Sequence, residues 1–148
     1  MADDIVEKDL SFQIMKAAFE VHNELGPGFL ESIYEEAMTL QLRSDGYTVE
    51  TQVKVPVFYM GQKIGEHILD QVVDGKVILE LKAVAQIVPI HEQQALSYLK
   101  ATGLPLAIVI NFGTPRVTYS RVVNEKGRPT RPSRSPYYFQ NNPKTPTN

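Results

Sequence analysis

The sequence predicts an α/β fold built on a mixed sheet, and three observations predict it. Helical periodicity in the first part of the chain gives way near Val49 to two-fold alternation, an Asp74-Gly75 turn signal joins two of the extended segments, and one more helical segment precedes the apolar run Leu106 to Ile110. This order implies an N-terminal helical hairpin, an antiparallel three-stranded meander, a crossover helix and a parallel strand.

The first helix is expected from about Asp9 to Leu25, where Leu10, Ile14, Ala17, Ala18, Val21 and Leu25 share a stripe, and Gly26-Pro27-Gly28 breaks it. The second runs from about Phe29 to Asp45, with Leu30, Ile33, Tyr34, Ala37 and Gln41 on one face and Gly46 as its stop. Val49, Thr51, Val53, Val55, Val57 and Tyr59 then alternate as in a half-buried strand. Met60-Gly61-Gln62 turns the chain into a strand from Lys63 to Val73, and Asp74-Gly75 turns it into another from Lys76 to Val84. Pro89 opens a helix from Ile90 to Thr102, ended by Gly103 and Pro105. Leu106 to Ile110 reads as a strand covered on both faces, and Val117 to Val123 as a further strand.

A chain of 148 residues, 43% hydrophobic and 22% charged, fits one soluble globular domain and argues against a disordered or fibrous class. With no cysteine, a disulfide framework, a thiolate metal site and a thiol nucleophile are all excluded, so any metal must be held by oxygen or imidazole. The acidic start Met1-Ala2-Asp3-Asp4 lacks a signal-type apolar run and no stretch is long enough to span a bilayer, which reads as a cytoplasmic protein without a membrane partner. Residues 1–123 form the expected domain, and residues 124–148 lose periodicity and gather Pro129, Pro132, Pro136, Pro143 and Pro146, as a disordered tail does. Five basic residues against Glu125 give that tail +4 and leave −6 on the rest. Only Pro136-Tyr137-Tyr138-Phe139 in the tail has the apolar content to dock on the domain or on a partner.

Glu80 and Lys82, two apart on the third strand, point to the same face of a strand whose neighbours predict burial, and charges placed there need partners or a task. Asp70 ends the Ile68-Leu69 step of the preceding strand. A two-residue Asp74-Gly75 loop sets Val73 against Lys76 and Asp70 against Leu79, which makes Glu80 a diagonal neighbour that a bulge would bring closer. Two carboxylates so close are reconciled by a hard divalent cation such as Mg²⁺ or Mn²⁺, and the Lys82 ammonium can orient water or stabilise charge developing on phosphate. A lone Glu-x-Lys pair is commonly just a solvated strand pair, and the order of Asp, turn and Glu-x-Lys before a helix and buried strand is what raises its meaning. Glu31 leans beside the stripe of Leu30, Ile33 and Tyr34, where it reads equally as a helix-start carboxylate, while Glu35 and Glu36 are expected to be solvated. Tyr34 and Tyr98 read as core aromatics with bonded hydroxyls, and His22, His67 and His91 lack metal-pair spacing.

This order of helix, meander with Asp70 and Glu80-Leu81-Lys82, helix and strand resembles the restriction-endonuclease-like core of the PD-(D/E)xK nuclease superfamily. Gly28-Phe29-Leu30-Glu31-Ser32-Ile33-Tyr34 resembles the GxxExxY signature of one bacterial family within it. The resemblance implies a divalent-metal-dependent phosphodiesterase acting on DNA or RNA, with Asp70, Glu80 and Glu31 toward the metal, Lys82 toward the attacking water and Gln94 as a supporting polar residue. Glu66-His67-Ile68-Leu69 departs from the family's habit of a basic residue shortly before the strand Asp. The acidic body and that departure keep a second class open, a catalytically silent nuclease-fold module that binds protein or nucleic acid; a homodimer and a protein partner stay open as well.

Overall fold

The computed structural model describes residues 5–124. The tail from residue 125 onward, with Tyr137 and Tyr138, lies outside the described residues. The order is α1 (Lys8–Leu25), α2 (Glu31–Ser44), β1 (Val49–Tyr59), β2 (Gln62–Val73), β3 (Val77–Lys82), α3 (Pro89–Thr102), β4 (Leu106–Asn111) and β5 (Thr118–Val123). The five strands form one sheet in the order β1-β2-β3-β4-β5, antiparallel except for the parallel β3–β4 pair. This is the expected α/β mixed sheet.

Alternation along β3 and β4 explains the layering. Val77, Leu79 and Leu81 of β3 and Leu106, Ile108 and Ile110 of β4 meet Ile14, Met38 and Leu42 of α1 and α2. Ile78, Ala107 and Val109 point the opposite way and meet Ala95, Tyr98 and Leu99 of α3. Covering both faces makes β3 and β4 the centre of the molecule, and each fully buried Leu or Ile there contributes about 1.5–3 kcal/mol.

Several element ends differ from the sequence expectation for local reasons. Helix α2 starts at Glu31 rather than Phe29 because Leu30 is extended, with φ −70° and ψ 156°. Strand β3 stops at Lys82 rather than Val84, since the backbone N–H groups of Ala83 and Val84 bond to the side chains of Glu31 and Asn111. The β2–β3 loop has three residues, with Val73 opposite Val77. Asp74 and Gly75 are both left-handed there, at φ 53° and 65°, and the Asp74 Oδ1 accepts from the Thr48 amide at 2.9 Å and hydroxyl at 3.0 Å. The alternation expected for β1 holds at Val49, Val53, Val55 and Val57, which are buried or half-buried; Thr51 and Tyr59 are exposed and Pro56, on the opposite phase, is buried, and the β1–β2 hairpin also leaves Met60 and Ile64 exposed. Asn124, which composition assigns to the tail, is tied to the body: its Nδ2 donates to the carbonyls of Leu99 and Leu104.

Candidate active site

Strands β2 and β3 pair only through Gln71–Leu79, Val72–Ile78 and Val73–Val77, while β2 stays with β1 over its whole length. Beyond Leu79 the two strands part. The N–H groups of β3 that would have bonded to β2 must then find other acceptors, because a buried unpaired amide costs about as much as a lost hydrogen bond. Carboxylates supply them: Leu81 N–H donates to Asp70 Oδ2 at 2.9 Å, and Ala83 N–H to Glu31 Oε2 at 3.1 Å. The fork therefore fixes one carboxylate from β2 and one from the start of α2 along the same edge of β3. Continuing the observed register sets Asp70 against Glu80, one position nearer than a two-residue loop would give.

Glu80 points to the α3 side of the sheet and is only 5% exposed. Its Oε2 lies 3.6 Å from Lys82 Nζ, and its buried Oε1 has no hydrogen-bond partner. Burial and then the charge of Asp70 push the Glu80 carboxyl up to about 7, with Lys82 opposing them. Asp70 also rises above the usual carboxylate range, through burial first; the Leu81 amide and Lys82 pull it back, while Glu35 and Glu31 push it further. The arrangement is an anion pair held at low hydration beside one ammonium. A hard cation with oxygen ligands fits it, since that is the partner the free Glu80 oxygen lacks and the charge that would relieve the repulsion.

The model of the PD-(D/E)XK nuclease superfamily matches residues 8–122, which takes in every described element but the last residue of β5. The chain belongs to the PD-(D/E)XK nuclease superfamily. No curated protein and no solved structure matches it. Nucleases of this superfamily are generally dependent on divalent metal. In this member no group of three or more His, Asp or Glu side chains among the described residues is drawn together tightly enough to enclose an ion, and Glu31 is engaged with Ala83. No helix among those residues is long and apolar enough to cross a membrane.

The remaining residues singled out from the sequence fall into place unevenly. Tyr34 is fully buried, stacks on Phe112 with ring centroids 4.6 Å apart, donates its hydroxyl to the Gly26 carbonyl at 2.5 Å and accepts from the Phe29 amide at 3.2 Å. It thereby pins the turn before α2, where Gly28 has φ 111°, and so sets Glu31. Tyr98 comes from α3 with its hydroxyl pushed up by burial, by the charges of Glu80 and Asp70 and by a hydrogen bond to Glu80, so it stays protonated beside them. His67 packs edge-on against the Tyr98 ring at 4.7 Å, and burial lowers its pKa. Gln94 stands exposed on α3 one turn before Tyr98, its carbonyl accepting from Ser97 Oγ, outside the hydrogen-bonded group. His22 and His91 bond to backbone, as ordinary histidines do.

Two contributors escaped the sequence reading. Glu35, expected to be solvated, is half-buried and takes a hydrogen bond from Gln52 at 2.8 Å. Its place one turn after Glu31 was the available signal. Asn111, buried at the end of β4, accepts from the amides of Val84 at 2.9 Å and Gly113 at 3.0 Å and donates to the Val84 carbonyl at 2.9 Å. It clamps the segment that follows the Glu-x-Lys strand; the signal was an amide side chain directly after a run of buried apolar residues. Gly113 lets that segment pass so near that a Cβ would lie 2.5 Å from the Val84 nitrogen.

Proposed function

We propose that the chain is a divalent-cation-dependent phosphodiester hydrolase acting on nucleic acid, with Mg²⁺ or Mn²⁺ held by Asp70 and Glu80 and with Glu31 beside them. The observation that carries this reading is the buried, unpartnered Oε1 of Glu80, next to Asp70 and Lys82 at the strand fork. A bound cation would neutralise the carboxylate pair and polarise a phosphate oxygen. The chain's own residues do the rest. The Leu81 amide holds Asp70 through Oδ2, so the carboxylate meets a ligand already oriented. The Lys82 ammonium, tethered by Glu80 Oε2, orients the water that adds its oxygen to phosphorus as the ester P–O bond breaks, and offsets the charge that builds on the phosphate oxygens. Tyr98, protonated and buried, helps keep bulk water from the α3 side of Glu80. Gln94, exposed on the same helix, is placed to meet substrate rather than metal.

The test combines binding and turnover. Mg²⁺ or Mn²⁺ is expected to raise the melting temperature of the wild type and not that of the Asp70→Ala, Glu80→Ala double variant. Cleavage of single-stranded, duplex, branched or RNA substrates is expected to need the cation and to fall at least about a hundredfold in Lys82→Ala. A cation-induced shift with no cleavage on any substrate would favour the other class, a nuclease-fold module that binds without turnover.

A further inference from the structure

Gln52 has φ +52° in the body of β1. The other described non-glycine residues with left-handed backbone, Glu7, Met60 and Asp74, occupy a helix cap and two turns, where that conformation is ordinary. In a strand it is strained, and such strain persists only where the surroundings enforce it. Thr51 pairs with Gln71 and Val53 with Leu69, so Gln52 lies opposite Asp70 and interrupts the ladder there. Turned out in this way, its Nε2 donates to Glu35 Oε2 at 2.8 Å. The helical turn under Glu35 is fixed as well: its carbonyl accepts from the buried Gln71 Nε2 at 3.0 Å and from Thr39 Oγ1 at 2.9 Å, and Gln71 also reaches Thr39 at 2.7 Å. Side chains from β1, β2 and α2 thus converge on one residue, Gln52 on its carboxylate and Gln71 and Thr39 on its backbone carbonyl.

We infer that Glu35, oriented by Gln52, is an outer carboxylate of the cation site at Asp70 and Glu80 and raises its affinity for a divalent ion, with Gln52 as a positioning residue. The inference rests on the reading that those two residues hold a cation. The pointer to a ligand at this place is the one on which the proposed cation site itself rests, the unpartnered Oε1 of Glu80, on a side chain only 7% exposed. The charge of Glu35 reaches Asp70 and outranks that of Glu31 in doing so. Glu31 spends an oxygen on the Ala83 amide and is exposed, whereas Glu35 is half-buried and met by a neutral donor. A neutral amide can aim a carboxylate without cancelling its charge; a Lys or Arg at position 52 would cancel it.

The experiment is a calorimetric titration of Mn²⁺ into the full chain and into Gln52→Gly, Glu35→Gln, the double variant and Asp70→Asn, with melting temperatures taken in EDTA. Glycine adopts φ +52° without strain, so Gln52→Gly keeps the backbone while removing the donor, and its EDTA melting temperature should not fall. Loss of an outer partner typically weakens metal binding about ten- to a hundredfold. Gln52→Gly and Glu35→Gln are therefore each expected to bind Mn²⁺ about tenfold more weakly, and the double variant no more weakly than Glu35→Gln alone. Affinities within about twofold of wild type in both single variants, with binding lost in Asp70→Asn, would overturn this inference and leave the Asp70–Glu80 site standing. A wild type that binds no Mn²⁺ would overturn both.

Discussion

Glu80 sits on a strand covered on both faces, with one oxygen near Lys82 and the other without a partner. Its carboxyl is pushed from 4.5 up to about 7, so between those values the folded protein keeps a proton that the unfolded chain gives up. Its contribution to stability is complete below about pH 4.5, declines as pH rises and is lost above about pH 7, and the raised Asp70 adds in the same direction. In EDTA, the unfolding free energy from urea titrations is expected to fall between about pH 5 and pH 7.5, less steeply in Glu80→Gln, and a saturating divalent cation should flatten the wild-type profile. Equal slopes in wild type and variant would place the titration elsewhere. The sequence made Asp70, Glu80 and Lys82 visible because strand alternation and a turn signal are local properties. For Glu35 the one local signal was its place a turn after Glu31; its partner, the strained Gln52 of β1, is long-range and left no mark in the sequence.

Strand ends govern the candidate site more than strand interiors do. The interiors follow from hydrophobic period, and β1 from Val49 to Tyr59 and the covered run of β4 emerge from it directly. The ends depend on side chains that replace backbone partners: Asp70 at Leu81, Glu31 at Ala83, Asn111 at Val84. Those contacts are long-range, and a one-residue difference in the Asp74–Lys76 loop was enough to move Asp70 from a diagonal to a facing position relative to Glu80. The turn before α2 is held similarly, by the Tyr34 hydroxyl between Gly26 and Phe29. Tyr34→Phe keeps the stacked ring and removes both bonds, and a loss of about 1–2 kcal/mol in urea unfolding is expected. An unchanged stability would mean that the hydroxyl does not anchor the turn that presents Glu31.

Among the described residues, helices on both faces of a five-stranded sheet bury β3 and β4, and the parting of β2 from β3 opens an edge of that core. Burial is what sets this edge apart: the same carboxylates in water would not resist ionisation. The element order and the parallel β3–β4 pair were readable in the sequence because periodicity fixes which elements form and a crossover helix fixes which strands run parallel. The length of the β1–β2 hairpin beyond the helices was not, because alternation marks a strand without saying what will cover it. The proposed hydrolase requires a cation between Asp70 and Glu80. Anomalous diffraction from crystals soaked in Mn²⁺ measures this most directly: a peak within ligand distance of both carboxylates is predicted, and a site without density there, or manganese bound elsewhere with Glu80 Oε1 still unpartnered, would contradict it.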